Sequence, residues 1–245
     1  MNSPATAPLN IVVAGGGVAG LEALLALRDL GGDRVSTTLL TPEADFLVRP
    51  WTVQEPFARP EAHRYALSQV TSDAGAELRA ATLAGVDPAA RTVTTGEGET
   101  LAYDALVVTL GAAQETAFEH ATTFRGRQDG ESVHGLLQDV EGGYVSRLAF
   151  VVPAGVAWPL PLYELALMTA ERARSMSLSN IEIAVITPEA APLAVFGAAG
   201  SDAVAGLLTD AGITLHASTV VEVPDSGTVA LGTSGETLAV DRIVA

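Results

Sequence analysis

Residues 71 to 108 recur without gaps as residues 208 to 245, with roughly 14 of the 38 positions identical. Asp73-Ala74-Gly75 stands against Asp210-Ala211-Gly212, Gly98-Glu99-Thr100-Leu101-Ala102 against Gly235-Glu236-Thr237-Leu238-Ala239, and Asp104 against Asp241. Further upstream, Thr41-Pro42-Glu43-Ala44 matches Thr187-Pro188-Glu189-Ala190. Matching blocks in the same order point to duplication of one unit. The 245 residues are therefore expected to fold as two related domains of ordinary size, divided as 1–112 and 113–245.

The local pattern of each half says what that unit is. Asn10-Ile11-Val12-Val13-Ala14 is a β-branched run that flows through Gly15-Gly16-Gly17 into the Leu/Ala-rich stretch Val18 to Arg28, which reads as strand, tight turn and helix. Gly31 and Gly32 end that helix, and Val35 to Thr41 forms the next strand. In the second half, Leu148 to Val152 reads as a strand, Leu162 to Arg174 as a helix and Ile181 to Thr187 as another strand. The order β-α-β appears twice, a nucleotide-binding type of plan. The second copy stops at Asp241-Arg242-Ile243-Val244-Ala245, where the first copy continues through Ala105-Leu106-Val107-Val108-Thr109-Leu110-Gly111. This reading expects a fragment of a longer polypeptide or a truncated gene product.

Gly15-x-Gly17-x-x-Gly20 lies between a strand and a helix, the context in which this spacing has a mechanism. Gly15 permits the turn, Gly17 lets a pyrophosphate approach the backbone, and Gly20 lets helix and strand come close, with the helix N-terminus facing the negative charge. The acid that binds a ribose diol belongs at the end of the second strand, near Thr41. Glu43 is the nearest carboxylate, and both readings of it stand, a ribose ligand or a solvated loop glutamate. In the second half, alignment of Gly17-Val18-Ala19 with Gly155-Val156-Ala157 puts Pro153 at the place of Gly15 and Trp158 at that of Gly20. Proline brings a fixed φ and no N–H, and tryptophan blocks a close approach. These residues argue against pyrophosphate binding in the ordinary way there and leave NAD(P)H open as a second cofactor.

Composition narrows the chemistry. All thirteen basic residues are arginine, and there is no lysine and no cysteine. That removes Schiff-base catalysis, the GK[ST] phosphate loop, the Tyr/Lys dehydrogenase dyad, dithiol redox centres, iron–sulfur clusters and thiolate zinc sites. A redox enzyme of this composition needs an organic cofactor. The net charge of -16 and the scattered arginines argue against nucleic acid and against a polybasic membrane anchor. Met1 to Leu9 lacks a charged segment followed by an apolar one, and the longest apolar stretch, Leu148 to Met168, is interrupted by three prolines and Glu164. A soluble cytoplasmic protein without an integral membrane segment is expected.

The glycine fingerprint, the segment Phe46-Leu47-Val48-Arg49-Pro50, the strand and turn from Tyr103 to Gly111, and the duplicated plan together resemble the flavoproteins with two dinucleotide-binding domains. The chain is similar to the pyridine nucleotide-disulfide oxidoreductase superfamily, and within it to the group of type II NADH dehydrogenases and sulfide:quinone reductases. Trp158 to Leu167, Trp-Pro-Leu-Pro-Leu-Tyr-Glu-Leu-Ala-Leu, is similar to a segment of actinobacterial FAD-dependent oxidoreductases. The resemblance implies an α/β fold of two tandem Rossmann-like domains with parallel sheets, each with a small antiparallel hairpin or meander crossover. It implies FAD on the first domain, with Gly15, Gly17, Val18, Ala19 and Gly20 around the pyrophosphate. Arg49 and Pro50 would lie on the side of the flavin, and Thr109 and Gly111 would close the adenosine end. The family's C-terminal return to the FAD domain is missing from this sequence. Sulfide oxidation in the group depends on cysteines, so that activity does not carry over.

His63, His120, His134 and His216 show no metal-ligand spacing, and no GxSxG elbow occurs, so no metal site is expected and no side chain is named as catalytic. Glu164 aligns with Glu22 as a helix-start carboxylate, for which the resemblance suggests a place near a nicotinamide. The function expected is an FAD-dependent oxidoreductase that passes electrons from a reduced small-molecule donor, NAD(P)H among the options, to a quinone-like or protein acceptor. The alternative is a non-catalytic or truncated nucleotide-binding remnant.

Overall fold

The computed structural model describes residues 7–57, 61–113, 115–232 and 235–245, apart from the Arg127 side chain. The reading of residues 1–9 falls largely outside them. The chain divides into two compact units, one of residues up to 48 and 63–113, the other of residues 49–62 and 114–245.

The first unit opens with β1 (Leu9–Ala14), α1 (Val18–Gly31) and β2 (Val35–Leu40). A hairpin of β3 (Asp45–Leu47) and β4 (Arg64–Ala66) follows, then α2 (Leu67–Asp73) and β5 (Glu77–Arg79). The meander β6 (Leu83–Asp87), β7 (Thr92–Thr95) and β8 (Thr100–Ala102) leads to β9 (Ala105–Val108). The main sheet is parallel in the order β5-β2-β1-β9, and β6-β7-β8 form a separate antiparallel sheet. Parallel strands covered on both faces read as continuous apolar runs rather than alternations, and β1 shows why. Ile11 and Val13 pack with Leu39 and Leu67 on one face, beside Leu21 and Leu27 of α1. Val12 packs on the other face with Leu40 and with Val93 and Leu101 of the meander.

The second unit repeats the plan. After α3 (Gly130–Glu141) come β10 (Arg147–Val151), α4 (Leu160–Ser175), β11 (Glu182–Ile186), α5 (Ala198–Asp210) and β12 (Thr214–His216). The meander β13 (Val221–Asp225), β14 (Thr228–Leu231) and β15 (Glu236–Ala239) precedes β16 (Arg242–Val244). Its parallel sheet runs β12-β11-β10-β16. Leu148 and Phe150 face the helices with Leu136, Leu165 and Leu208, while Ala149 and Val151 face the meander with Val229 and Leu231. A 3-10 segment, Arg49–Phe57, adds Val53 to the helix side of this core.

The aspartates that the repeat aligns do the same work. In the first unit, Asn10 N–H donates to Asp104 Oδ2 at 2.8 Å and Asp104 N–H donates back to the Asn10 carbonyl at 2.7 Å. In the second, Arg147 N–H donates to Asp241 Oδ2 at 2.9 Å and Asp241 N–H to the Arg147 carbonyl at 2.8 Å. Each pair fixes the first strand against the last. The Arg147 guanidinium, followed by the amides of Ser146 and Arg147, holds the Asp241 carboxyl well below the usual carboxylate range.

Candidate functional site

In the first unit, three residues join β1 to α1, and their backbone is tightly determined. Gly15 N–H donates to the Leu40 carbonyl at 2.9 Å, while Thr109 N–H and Thr109 Oγ1 both donate to the Ala14 carbonyl, at 2.7 and 2.9 Å. Thr109 Oγ1 also reaches the Gly15 carbonyl at 3.1 Å. Gly15 adopts φ +119°, and a Cβ there would lie 2.2 Å from the Thr109 carbonyl oxygen. Only glycine meets both conditions. At Gly20 a Cβ would lie 1.9 Å from the Gly15 carbonyl oxygen, so the first turn of the helix packs directly on the glycine turn.

Gly17 is different: it is exposed, and a Cβ there would meet nothing within 4 Å. It is the N-cap of α1, with no side-chain cap and no acidic residue in the first turn of a 14-residue helix. The first amides of a helix have no intrahelical acceptor, so the exposed Val18 and Ala19 offer N–H groups beside an open space, at the positive end of the helix dipole, with the buried Gly20 next in line. That cradle suits an anionic phosphate pair and leaves it backbone donors alone. Glu43 is exposed and accepts a hydrogen bond from the buried Thr41 hydroxyl at the end of β2. Gly111 follows β9 with φ +76°.

Thus Gly15, Gly17, Val18, Ala19, Gly20, Thr109, Gly111 and Glu43 all belong to the first unit, at the carboxyl ends of β1, β2 and β9. Arg49 and Pro50 belong to the 3-10 segment that packs in the second unit. There Pro50, Trp51, Val53 and Gln54 line a cleft of about 450 Å³ with Glu164, Leu167 and Met168 of α4. Among the described residues that line it, Glu164 is the one ionisable group, and burial pushes its carboxyl above the usual range.

The matching turn of the second unit corrects the alignment made from its letters. Val152 N–H donates to the Ile186 carbonyl at 2.8 Å, the bond that Gly15 N–H makes to Leu40. The registers Asn10↔Ser36 and Arg147↔Glu182 agree with this. Val152, not Pro153, therefore stands at the place of Gly15, and Pro153 and Ala154 at those of Gly16 and Gly17. The loop then continues to Pro159 before α4 begins at Leu160. Trp158 lies in this insertion and has no counterpart at Gly20; its ring meets that of Phe196 edge to face, with centroids 5.3 Å apart. The letters Gly-Val-Ala matched by coincidence, and the signal that could have exposed this was the long interval between the expected strand and helix.

One constellation was not visible in the sequence. Glu189, the repeat partner of Glu43, accepts from Tyr163 Oη at 2.9 Å and Thr187 Oγ1 at 3.1 Å on one oxygen, and from Ala194 N–H at 3.2 Å on the other. Tyr163 is buried, and that burial raises its hydroxyl well above the ordinary tyrosine range. Among the described residues, no three His, Asp or Glu side chains converge as a metal site, and no helix is long and apolar enough to cross a membrane.

Comparison with known proteins agrees with this architecture. The sulfide:quinone oxidoreductase of the hyperthermophilic bacterium Aquifex aeolicus superposes with a TM-score of 0.84 at 23% identity, over 96% of this chain and 58% of that one. NDH2 of Plasmodium falciparum, solved with NADH, gives 0.75 at 14% identity, over 96% of this chain and 54% of that one. Putidaredoxin reductase, in its covalent complex with putidaredoxin, gives 0.65 at 18% identity, over 98% and 58%. The chain thus spans little more than half the length of these proteins. No curated protein sequence gave a significant match. A family model described as pyridine nucleotide-disulphide oxidoreductase matches residues 9–245, and the chain belongs to that family.

Proposed function

We propose that the chain is an FAD-dependent oxidoreductase that passes electrons from a reduced donor to a quinone-like or protein acceptor. The observation that carries this reading is the turn at Gly15–Gly17: a rigid backbone loop whose last residue, Gly17, opens onto empty space at a helix N-terminus without a side-chain cap. Val18, Ala19 and Gly20 would hold the pyrophosphate of FAD through their amides, and Glu43 would receive the adenosine ribose. Thr109 and Gly111 would bound the adenosine end, and Arg49 and Pro50 would flank the flavin. When bound, FAD supplies the electron chemistry, while the protein supplies orientation and electrostatics. Glu164 retains a proton to higher pH than an ordinary glutamate because its cleft is apolar, and we assign it the holding of a proton there. The acceptor class draws support from the relatives, one named for a quinone and one joined to putidaredoxin.

The test is retention of flavin. Protein mixed with FAD and desalted should keep the flavin absorption bands, and Gly17→Trp should lose them while the rest of the chain stays folded. Protein that remains colourless after FAD is added would leave the alternative, a nucleotide-binding remnant without turnover.

A further inference from the structure

We infer that the second unit is closed to NAD(P)H by its own residues, so that the donor in the proposed reaction is a reductant other than a nicotinamide. The statement about the donor rests on the FAD reading; the closure of the second unit does not. Three features carry it.

The first is the turn. Three residues, 15–17, separate β1 from α1, whereas residues 152–159 separate β10 from α4. Gly15 has φ +119°, a conformation that the buried Val152 at the same register position does not share. The phosphate-cradling path of the first unit is therefore absent from the second.

The second is the head of α4. Its N-cap is Pro159, and Pro161 occupies the first turn. Neither has an N–H, and Leu162 N–H is spent on the Pro159 carbonyl at 3.0 Å. Two donors of the helix head are thus missing and a third is paired, where an anion needs several converging N–H groups.

The third is Glu189. The acid placed to take a ribose diol is already engaged on both oxygens, Oε2 by Tyr163 and Thr187 and Oε1 by Ala194. Tyr163, on the buried face of α4, is 1% exposed and packs in the core, so its hydroxyl cannot swing aside for a sugar. Glu43, in contrast, is exposed and accepts from Thr41 at the same place in the first unit. The same Thr-Pro-Glu-Ala letters thus serve two purposes: an exposed acid at one nucleotide turn, an internal brace at the other.

Hydrogen exchange of the full chain, with FAD present and with NADH or NADPH added at increasing concentration, tests this. The expected result is no added protection in residues 152–163 or 187–194 and no saturable nicotinamide binding below the millimolar range. Protection confined to residues 15–20 and competed by FAD would agree with the inference, because it reports a nucleotide on the first turn. Saturable protection of 152–163 or 187–194 that persists with FAD bound would overturn it. Flavin uptake is read separately from the absorption spectrum. Its absence would defeat the FAD reading and leave the closure of the second unit to stand or fall on exchange alone.

Discussion

Replacing Gly17 by valine should separate folding from ligand binding. The backbone at Gly17 has φ −80° and ψ −174°, extended geometry that any residue adopts, and a Cβ built there meets nothing within 4 Å. The cost to the fold is a poorer helix cap, about 1 kcal/mol. For a unit of about 100 residues this lowers the unfolding midpoint by roughly 4–8 °C. The cost to the ligand is larger. Valine fills the space in which a pyrophosphate would meet the amides of Val18 and Ala19. Each lost hydrogen bond from an amide to a charged oxygen costs about 1.5–3 kcal/mol, or roughly 10- to 150-fold in affinity. Circular dichroism melting gives the first quantity and an FAD titration the second. A valine variant that binds FAD as tightly as the parent, or one that does not fold, would refute the reasoning.

Other substitutions follow from the same geometry. Gly20→Ala should destabilise the chain, because its Cβ would stand 1.9 Å from the Gly15 carbonyl oxygen. Overpacking of about 1–3 kcal/mol is offset in part by roughly 1 kcal/mol of helix propensity, and urea unfolding measures the difference. Tyr163→Phe removes the 2.9 Å bond to Glu189 and should cost about 1–2 kcal/mol by the same assay; a neutral result would show that Glu189 is not braced. Glu164 is raised by burial, so its folded pKa lies above its unfolded one. Relative to Glu164→Gln, the parent chain should therefore lose stability as pH rises from the unfolded to the folded pKa of this group, with no further change above it. Melting curves of the two proteins across pH would contradict this if they stayed parallel.

The first unit was largely legible because its signals are local. β-branched residues, three glycines and a Leu/Ala-rich run follow one another in the order in which strand, turn and helix are built, and the constant offset of the repeat locates β5 through β9 against β12 through β16. In the second unit, α3 went unread although Val133, Leu136, Leu137 and Val140 carry its helical spacing. The second turn misled for a physical reason: letters compare side chains, whereas the place of Val152 is set by its bond to Ile186. The pairing of Tyr163 with Glu189 spans 26 residues and depends on α4 lying against β11, which no short pattern encodes. Nor does sequence order show that Arg49–Phe57 packs with the second unit.

Equilibrium dialysis of the full chain against FAD tests the central claim most directly. The account predicts saturable uptake of one FAD per chain, abolished by Gly17→Trp. FAD no more concentrated with the protein than in the surrounding buffer would contradict it.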